Sequence, residues 1–238
     1  IFWRIMSDWP FTPRPAELAE SRLIEAILDG AFPPNSSLPP ERELATQLGV
    51  TRPTLREALQ RLSRDGWLEI RQGKPTRVCD YLREGSLGIL KALAQHPANL
   101  PDNFIPDLLR FRLSIAPIYT RDAVLNHPTE VSEFLFSIQS LPDDAKSFAE
   151  ADVKLHATLT TFSGNLIYPL IYNGFSQLSL IMGNAYFSSQ PARDLSRSFY
   201  ANLLKLAHLP DPDAAEELTR QVMQNSLKFW LQLTNQGS

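Results

Sequence analysis

Residues 38–78 read LPPERELATQLGVTRPTLREALQRLSRDGWLEIRQGKPTRV. Pro40 is a residue favoured in a first helical turn, and Glu41 and Glu43 suit the positive end of a helix dipole. Leu44, Ala45 and Leu48 make one apolar face, and Gly49 stops that helix. Thr51 is a good N-cap for a second helix. Pro53 falls in its first turn, where the missing N–H does no harm. Leu55, Leu59 and Leu62 repeat at i, i+4, i+7 and mark its inward face. This helix ends near Asp65-Gly66. Residues 68–71 and 76–78 then read as two short strands about Gly73. Two helices across a Gly-Val-Thr joint, followed by a strand pair, make a winged helix-turn-helix, and the function this layout implies is DNA binding.

The charge distribution agrees with that reading. The whole chain of 238 residues carries a net charge of −3. From Arg42 to Arg77 there are eight basic and four acidic residues, net +4, whereas from Tyr81 onward there are 12 basic and 15 acidic. A basic reader is thus joined to a mildly acidic body. A recognition helix presents its N-terminal residues to base edges in the major groove. Here those are Thr51, Arg52, Thr54 and Arg56, with Arg42 on the preceding helix placed to hold the backbone or reach the groove. Arginine pairs bidentately with guanine O6 and N7, worth about 1–3 kcal/mol of discrimination per good contact. Gln72, Gly73 and Lys74 at the wing are placed to approach the adjacent minor groove. Any one of these residues alone reads as solvated surface; their common side of one motif points to DNA.

Working outward, a first helix is expected over about 16–28, closed by Asp29-Gly30. AFPPNSSLPP follows as an extended, turn-rich connection. Residues 1–15 form an irregular arm interrupted by Pro10, Pro13 and Pro15, with Trp3, Trp9 and Phe11 as possible packing groups; Met6 is a candidate native start. Residues 16–79 form the reader. Residues 80–100 read as a linker with a short helix ending before Pro97. From residue 101 to the end, strand patterns give way to helices over about 102–125, 129–140, 143–163, 165–187, 191–207 and 212–235. The fold class expected is mainly α: a winged helix-turn-helix followed by an antiparallel helical bundle. No apolar run reaches the length of a membrane span, and the single cysteine, Cys79, fits a reducing compartment such as the cytoplasm.

Within the bundle, Ile105, Leu108, Leu109, Ile115, Ala116 and Tyr119 make an apolar stripe with Arg112 at its centre. A buried guanidinium requires an anion or acceptors. Two readings stand side by side: an internal salt bridge, or an anchor for an anionic or thioester-bearing ligand. Asp152 and His156 share a face at i, i+4, but two ligands rarely make a closed metal site. Pro117 predicts a local kink.

LPPERELA followed by GVTRPTLREALQRLSRDGWLEIRQGKPTRV resembles the DNA-binding domain of the GntR family of bacterial regulators. NLIYPLIYNG, NAYFSSQPARDLSRSFY and the segment from Ser226 to Trp230 resemble its fatty-acid-responsive FadR branch, so the resemblance covers nearly the whole chain after about Ala16. It implies a cytoplasmic homodimer that binds a pseudo-palindromic double-stranded operator and is released by long-chain fatty acyl-CoA. It implies repression of degradation genes and activation of unsaturated fatty-acid synthesis genes, with no cofactor and no enzymatic activity. By the same resemblance Arg112 anchors the ligand, Phe175, Tyr186, Tyr200 and Trp230 line an acyl tunnel with Ile115 nearby, and Ser226 answers to the ligand. Met223 stands where the branch has a glycine, Val222 where it has a tyrosine and Gln72 where it has a histidine. In the related metal-binding branch an Asp and a His join two later histidines; Tyr200 and the Gln224-Asn225 region occupy those places here. Competing expectations are a family member that senses a small carboxylic acid through a metal, a constitutive DNA-binding protein without a ligand, and an acyl-CoA-handling enzyme. For the enzyme, no Ser/His/Asp set or glycine-rich phosphate loop is legible.

Overall fold

The computed structural model describes residues 14–101 and 103–235, with side chains described through residue 232. The aromatic residues of the N-terminal arm therefore lie outside the described residues. The chain divides into two compact units: residues 1–92 with 96–99, and residues 93–95 with 100–238.

The first unit is the reader. α1 (Pro15–Leu28) starts on a proline at its first position and buries Ala16, Ala19, Leu23, Ile24 and Ile27. α2 (Glu41–Leu48) ends on Gly49, whose φ of 68° is the left-handed conformation that glycine adopts without strain. α3 (Arg52–Asp65) buries Leu55, Ala58, Leu59 and Leu62 against α1 and α2. Full burial of each leucine stabilises the unit by about 1.5–3 kcal/mol before entropy is counted. The N-cap of α3 is Thr51, whose hydroxyl accepts the N–H of Thr54 at 3.3 Å.

The wing differs from the expected strands. β1 (Leu68–Glu69) and β2 (Arg77–Val78) pair antiparallel, with Leu68 opposite Val78. Each strand stops after two residues, and the stretch between them forms the wing loop, where the Lys74 N–H meets the Arg71 carbonyl at 3.3 Å and Gly73 takes φ 70°. A third strand position comes from the connection expected to be only turn-rich. Asn35 and Leu38 donate to the carbonyls of Val78 and Thr76 at 2.8 and 2.9 Å, and Val78 donates to Ser36 at 2.8 Å. Ser37 bridges Arg77.

The segment after the wing is fastened to the reader. It comprises α4 (Tyr81–Glu84) and the start of α5 (Gly88–Gln95). Tyr81 packs its ring 4.9 Å from that of the fully buried Trp67, and the Ser86 N–H donates to the Asp65 carbonyl at 2.9 Å. Gly66 takes φ 89° at the end of α3, and a side chain there would meet the Glu84 carbonyl oxygen and Gly85 Cα at 2.8 Å.

The second unit is a helical bundle. After a 3-10 turn (Pro97–Asn99), it comprises α6 (Phe104–Asn126), α7 (Pro128–Ser137), α8 (Ala145–Phe162), α9 (Ile167–Tyr186), α10 (Gln190–His208) and α11 (Pro212–Asn235). α6 packs on α11 and α8, α8 on α9, and α10 on α7 and α11. Its core holds Tyr119, Leu135, Phe148, Leu155, Leu159, Phe199, Tyr200 and Leu203. Asp144 caps α8 by accepting the Ser147 N–H at 2.8 Å. α6 continues through Pro117 to Asn126. No described helix is long and apolar enough to cross a membrane.

Candidate functional site

The reader brings its candidate residues onto α2, α3 and the wing. Arg42, Thr51, Arg52, Arg56, Gln72, Gly73 and Lys74 are exposed, and Thr54 is half-buried. The side chains of Arg42, Arg52 and Lys74 form no hydrogen bond or ion pair with any described residue, so their full donor sets face solvent. The two threonine hydroxyls lie 2.8 Å apart. Thr51 is thus engaged as a helix cap as well as being exposed. Arg56 is paired: its Nε donates to Glu41 Oε2 at 2.8 Å.

Not every basic residue of the stretch is available to phosphate. Arg61 lies 2.6 Å from Glu57 and 3.6 Å from Glu20. Arg71 lies 2.6 Å from Glu69. Arg77 is a structural hub, 2.7 Å from Glu69 and 2.6 Å from Glu84, with Asn35 Oδ1 accepting from it at 2.9 Å. Hydrogen bonds from Arg71 and then Arg77 draw the Glu69 carboxyl down to about 2. Those from Arg77 and the Asp80 N–H do the same for Glu84. The net +4 of the stretch therefore overstates its free positive charge.

In the bundle, a cavity of about 50 Å³ is lined by Leu109 and Arg112 of α6, Asp152 of α8, Ser179, Met182, Gly183 and Tyr186 of α9, Phe187, Ser196 and Phe199 of the next turn and helix, and Val222, Met223, Ser226 and Trp230 of α11. Four residues expected at a ligand site meet here: Arg112, Tyr186, Ser226 and Trp230. The Tyr186 hydroxyl donates to Ser226 Oγ at 3.2 Å. Three expected residues sit elsewhere. Phe175 is fully buried, edge-on to Phe111 and Tyr172. Ile115 packs against the core. Tyr200 is a core residue whose hydroxyl donates to Asp152 Oδ1 at 3.4 Å, and its ring lines a separate small recess with Phe148 and Arg197. Aromatic rings at helical spacing suit a core as well as a cavity, and here packing claims two of them.

Both readings of Arg112 meet in one arrangement. Its Nη2 lies 3.4 Å from Asp152 Oδ2, so it has an internal counter-ion. Its buried Nε has no hydrogen-bond partner among the described residues. Burial disfavours the arginine's charge, but Asp152 outweighs this together with the tyrosines around it, and the guanidinium stays protonated. Behind the pair, the wholly buried His156 has Nδ1 at 2.7 Å from the Tyr119 hydroxyl and Nε2 at 3.8 Å from Asp152 Oδ1. Desolvation lowers this imidazole to about 4 against the pull of Asp152. The ring is therefore neutral at physiological pH. Asp152 and His156 share a face as expected, but Arg112, Tyr119 and Tyr200 occupy their surroundings. Among the described residues no three His, Cys, Asp or Glu side chains gather as a metal-binding group. Asp152 was legible only as half of a metal pair; its place beside Arg112, forty residues away, carried no local signal.

A winged helix-turn-helix followed by a helical bundle with an internal cavity is the build of a DNA-binding transcriptional regulator. Residues 15–78 match the model of the bacterial regulatory proteins of the gntR family, and residues 79–236 match that of the FadR C-terminal domain. The chain belongs to the GntR family, in its FadR branch. It is 46% identical over 220 residues to the fatty acid metabolism regulator protein of Shewanella oneidensis, covering 92% of this chain and 91% of the relative. The protein of the same description from Shewanella baltica strain OS223 is 44% identical, covering 92% of each. Among solved structures, Lar, which controls expression of the agr system of Listeria monocytogenes, has the same fold with a TM-score of 0.63 and 17% identity, covering 94% of this chain and all of that one.

Proposed function

We propose that this regulator controls genes of fatty-acid metabolism in the cytoplasm. Two chains bind a pseudo-palindromic operator, because one winged domain reads only a half-site. Long-chain fatty acyl-CoA, held in the bundle beside Arg112, lowers operator affinity. Degradation genes are repressed and unsaturated fatty-acid synthesis genes activated while the operator is occupied. The observation that carries the reading is the unpartnered buried Nε of Arg112, a residue that lines a cavity walled by both apolar and polar side chains. A donor that costs free energy to bury unmet is a place for a ligand acceptor, and a thioester carbonyl supplies one. The names of the relatives support the same class of regulated genes.

A cavity of about 50 Å³ holds a few water molecules. A long acyl chain must displace side chains to enter, and Val222 and Met223, both buried on α11, stand in its way. Binding energy spent on that displacement favours a second bundle conformation. On the reader side, the Arg77–Glu84 ion pair and the close approach at Gly66 make α4 move with the wing as one body. A shift of this segment therefore carries the recognition helix with it. Linkage then requires operator DNA to weaken acyl-CoA binding by the same factor.

An electrophoretic mobility assay at fixed salt, with and without oleoyl-CoA, tests the reading. Oleoyl-CoA at micromolar levels is expected to release the protein from its preferred duplex. Absence of both binding and release rejects the acyl-CoA assignment.

A further inference from the structure

We propose that Glu41 is a positioning residue for base recognition, holding Arg56 in the orientation that reads guanine. The inference rests on the operator-binding reading above. Glu41 is the first residue of α2 and Arg56 lies on the second turn of α3, so the 2.8 Å contact ties the two halves of the helix-turn-helix. Its carboxylate sits at the positive end of the α2 dipole, which fixes the charge in place. The pair is exposed, at 66% and 40% of the two side chains. An ion pair so open to water adds little to stability, and fold maintenance does not account for it.

The geometry points to recognition instead. Only Nε of Arg56 is engaged; Nη1 and Nη2 donate to no described residue. The fork that matches guanine O6 and N7 is left open while the guanidinium plane is held from behind. Arg42 and Arg52, which form no ion pair with any described residue, have no such restraint. A planar guanidinium fixed before binding loses less freedom on docking than a free one. A masking role, with Glu41 competing against DNA for Arg56, would require the Nη atoms to be occupied, and they are not.

The position also carries a cost. A carboxylate near the phosphates opposes sequence-independent binding. Removing it therefore acts in opposite directions on the two kinds of DNA, which a purely structural residue would not do.

The test uses the full chain, a duplex selected by the wild-type protein from a random library, and a scrambled duplex of equal composition. Glu41→Gln is expected to weaken binding to the selected duplex about tenfold, the loss of one well-placed guanine contact. It is expected to strengthen binding to the scrambled duplex about twofold, with a steeper salt dependence. Glu41→Asp keeps the charge but shortens the reach; it should lose the selected duplex without gaining the scrambled one. In an Arg56→Ala background, Glu41→Gln should have no further effect on the ratio. Unchanged or tighter binding of Glu41→Gln to the selected duplex overturns the proposal. A wild-type chain that selects no duplex overturns the operator reading itself.

Discussion

Arg112 and Asp152 hold opposite charges 3.4 Å apart inside the bundle, and the arginine keeps one buried donor unmet. Removing the acid leaves the guanidinium without its counter-ion. Asp152→Asn is therefore expected to destabilise the bundle by about 2 kcal/mol, less than for a fully dry pair because Asp152 retains some solvent exposure. Arg112→Met, which removes the cation and fills its volume, is expected to cost less stability and to abolish acyl-CoA binding. Urea unfolding and calorimetric titration separate the two effects; equal stability of Asp152→Asn and wild type rejects the pairing.

The helices that carry this pair were legible because apolar periodicity and proline punctuation are local signals. α1 to α3 and α6 to α11 fall close to the spans read from the sequence. The third strand position at Asn35 to Leu38 was not legible: NSSL between prolines shows no alternation, and its pairing is dictated by backbone groups of Thr76 and Val78. Long-range ion pairs were equally hidden. Nothing near Arg77 in sequence distinguishes it from a phosphate-binding arginine, yet Glu69, Glu84 and Asn35 claim its donors. Arg112 was found because a charge inside an apolar stripe is itself anomalous.

Met223 and Val222 stand at the cavity wall. Met223→Ala is expected to enlarge the cavity at a cost of about 2 kcal/mol in stability, the low end for a buried truncation because the site already borders open space. It should favour long acyl chains. Titration with lauroyl-CoA and oleoyl-CoA reads the shift: oleoyl-CoA should gain several-fold over lauroyl-CoA. No change in that ratio places the acyl chain elsewhere.

Two glycines of the reader have the same backbone sign and different surroundings. Gly73 at the wing tip, φ 70°, has no atom within 4 Å of an added Cβ. Gly73→Ala is expected to cost about 1 kcal/mol, from left-handed strain alone. Gly66, φ 89°, would drive its Cβ to 2.8 Å from Glu84 and Gly85 backbone atoms. Gly66→Ala is expected to cost about 3 kcal/mol and to detach the 84–86 segment from α3. Hydrogen exchange of the Ser86 amide, which donates to the Asp65 carbonyl, distinguishes them: protection should fall in Gly66→Ala and persist in Gly73→Ala.

His156 sets the pH response of the bundle. Its imidazole titrates near 4 in the folded chain because burial disfavours the charged form more than Asp152 favours it; Arg112 adds to the lowering. In the unfolded chain it titrates at the ordinary value of about 6.5. The unfolded state therefore binds a proton first. The stability this residue contributes is fully present above about 6.5 and is lost as pH falls through 4, a difference on the order of 3 kcal/mol. Tyr119 and Tyr172 face the same ring, but both are held neutral well above this range by burial. Urea midpoints of the wild-type bundle should decline across that window, whereas His156→Gln, which keeps a polar partner for the Tyr119 hydroxyl, should show a flatter profile between the same limits. A parallel decline in both proteins would overturn the assignment of this window to His156; the Arg77-paired carboxylates Glu69 and Glu84 belong to the reader and lose their contribution only as pH falls from about 4.5 toward 2.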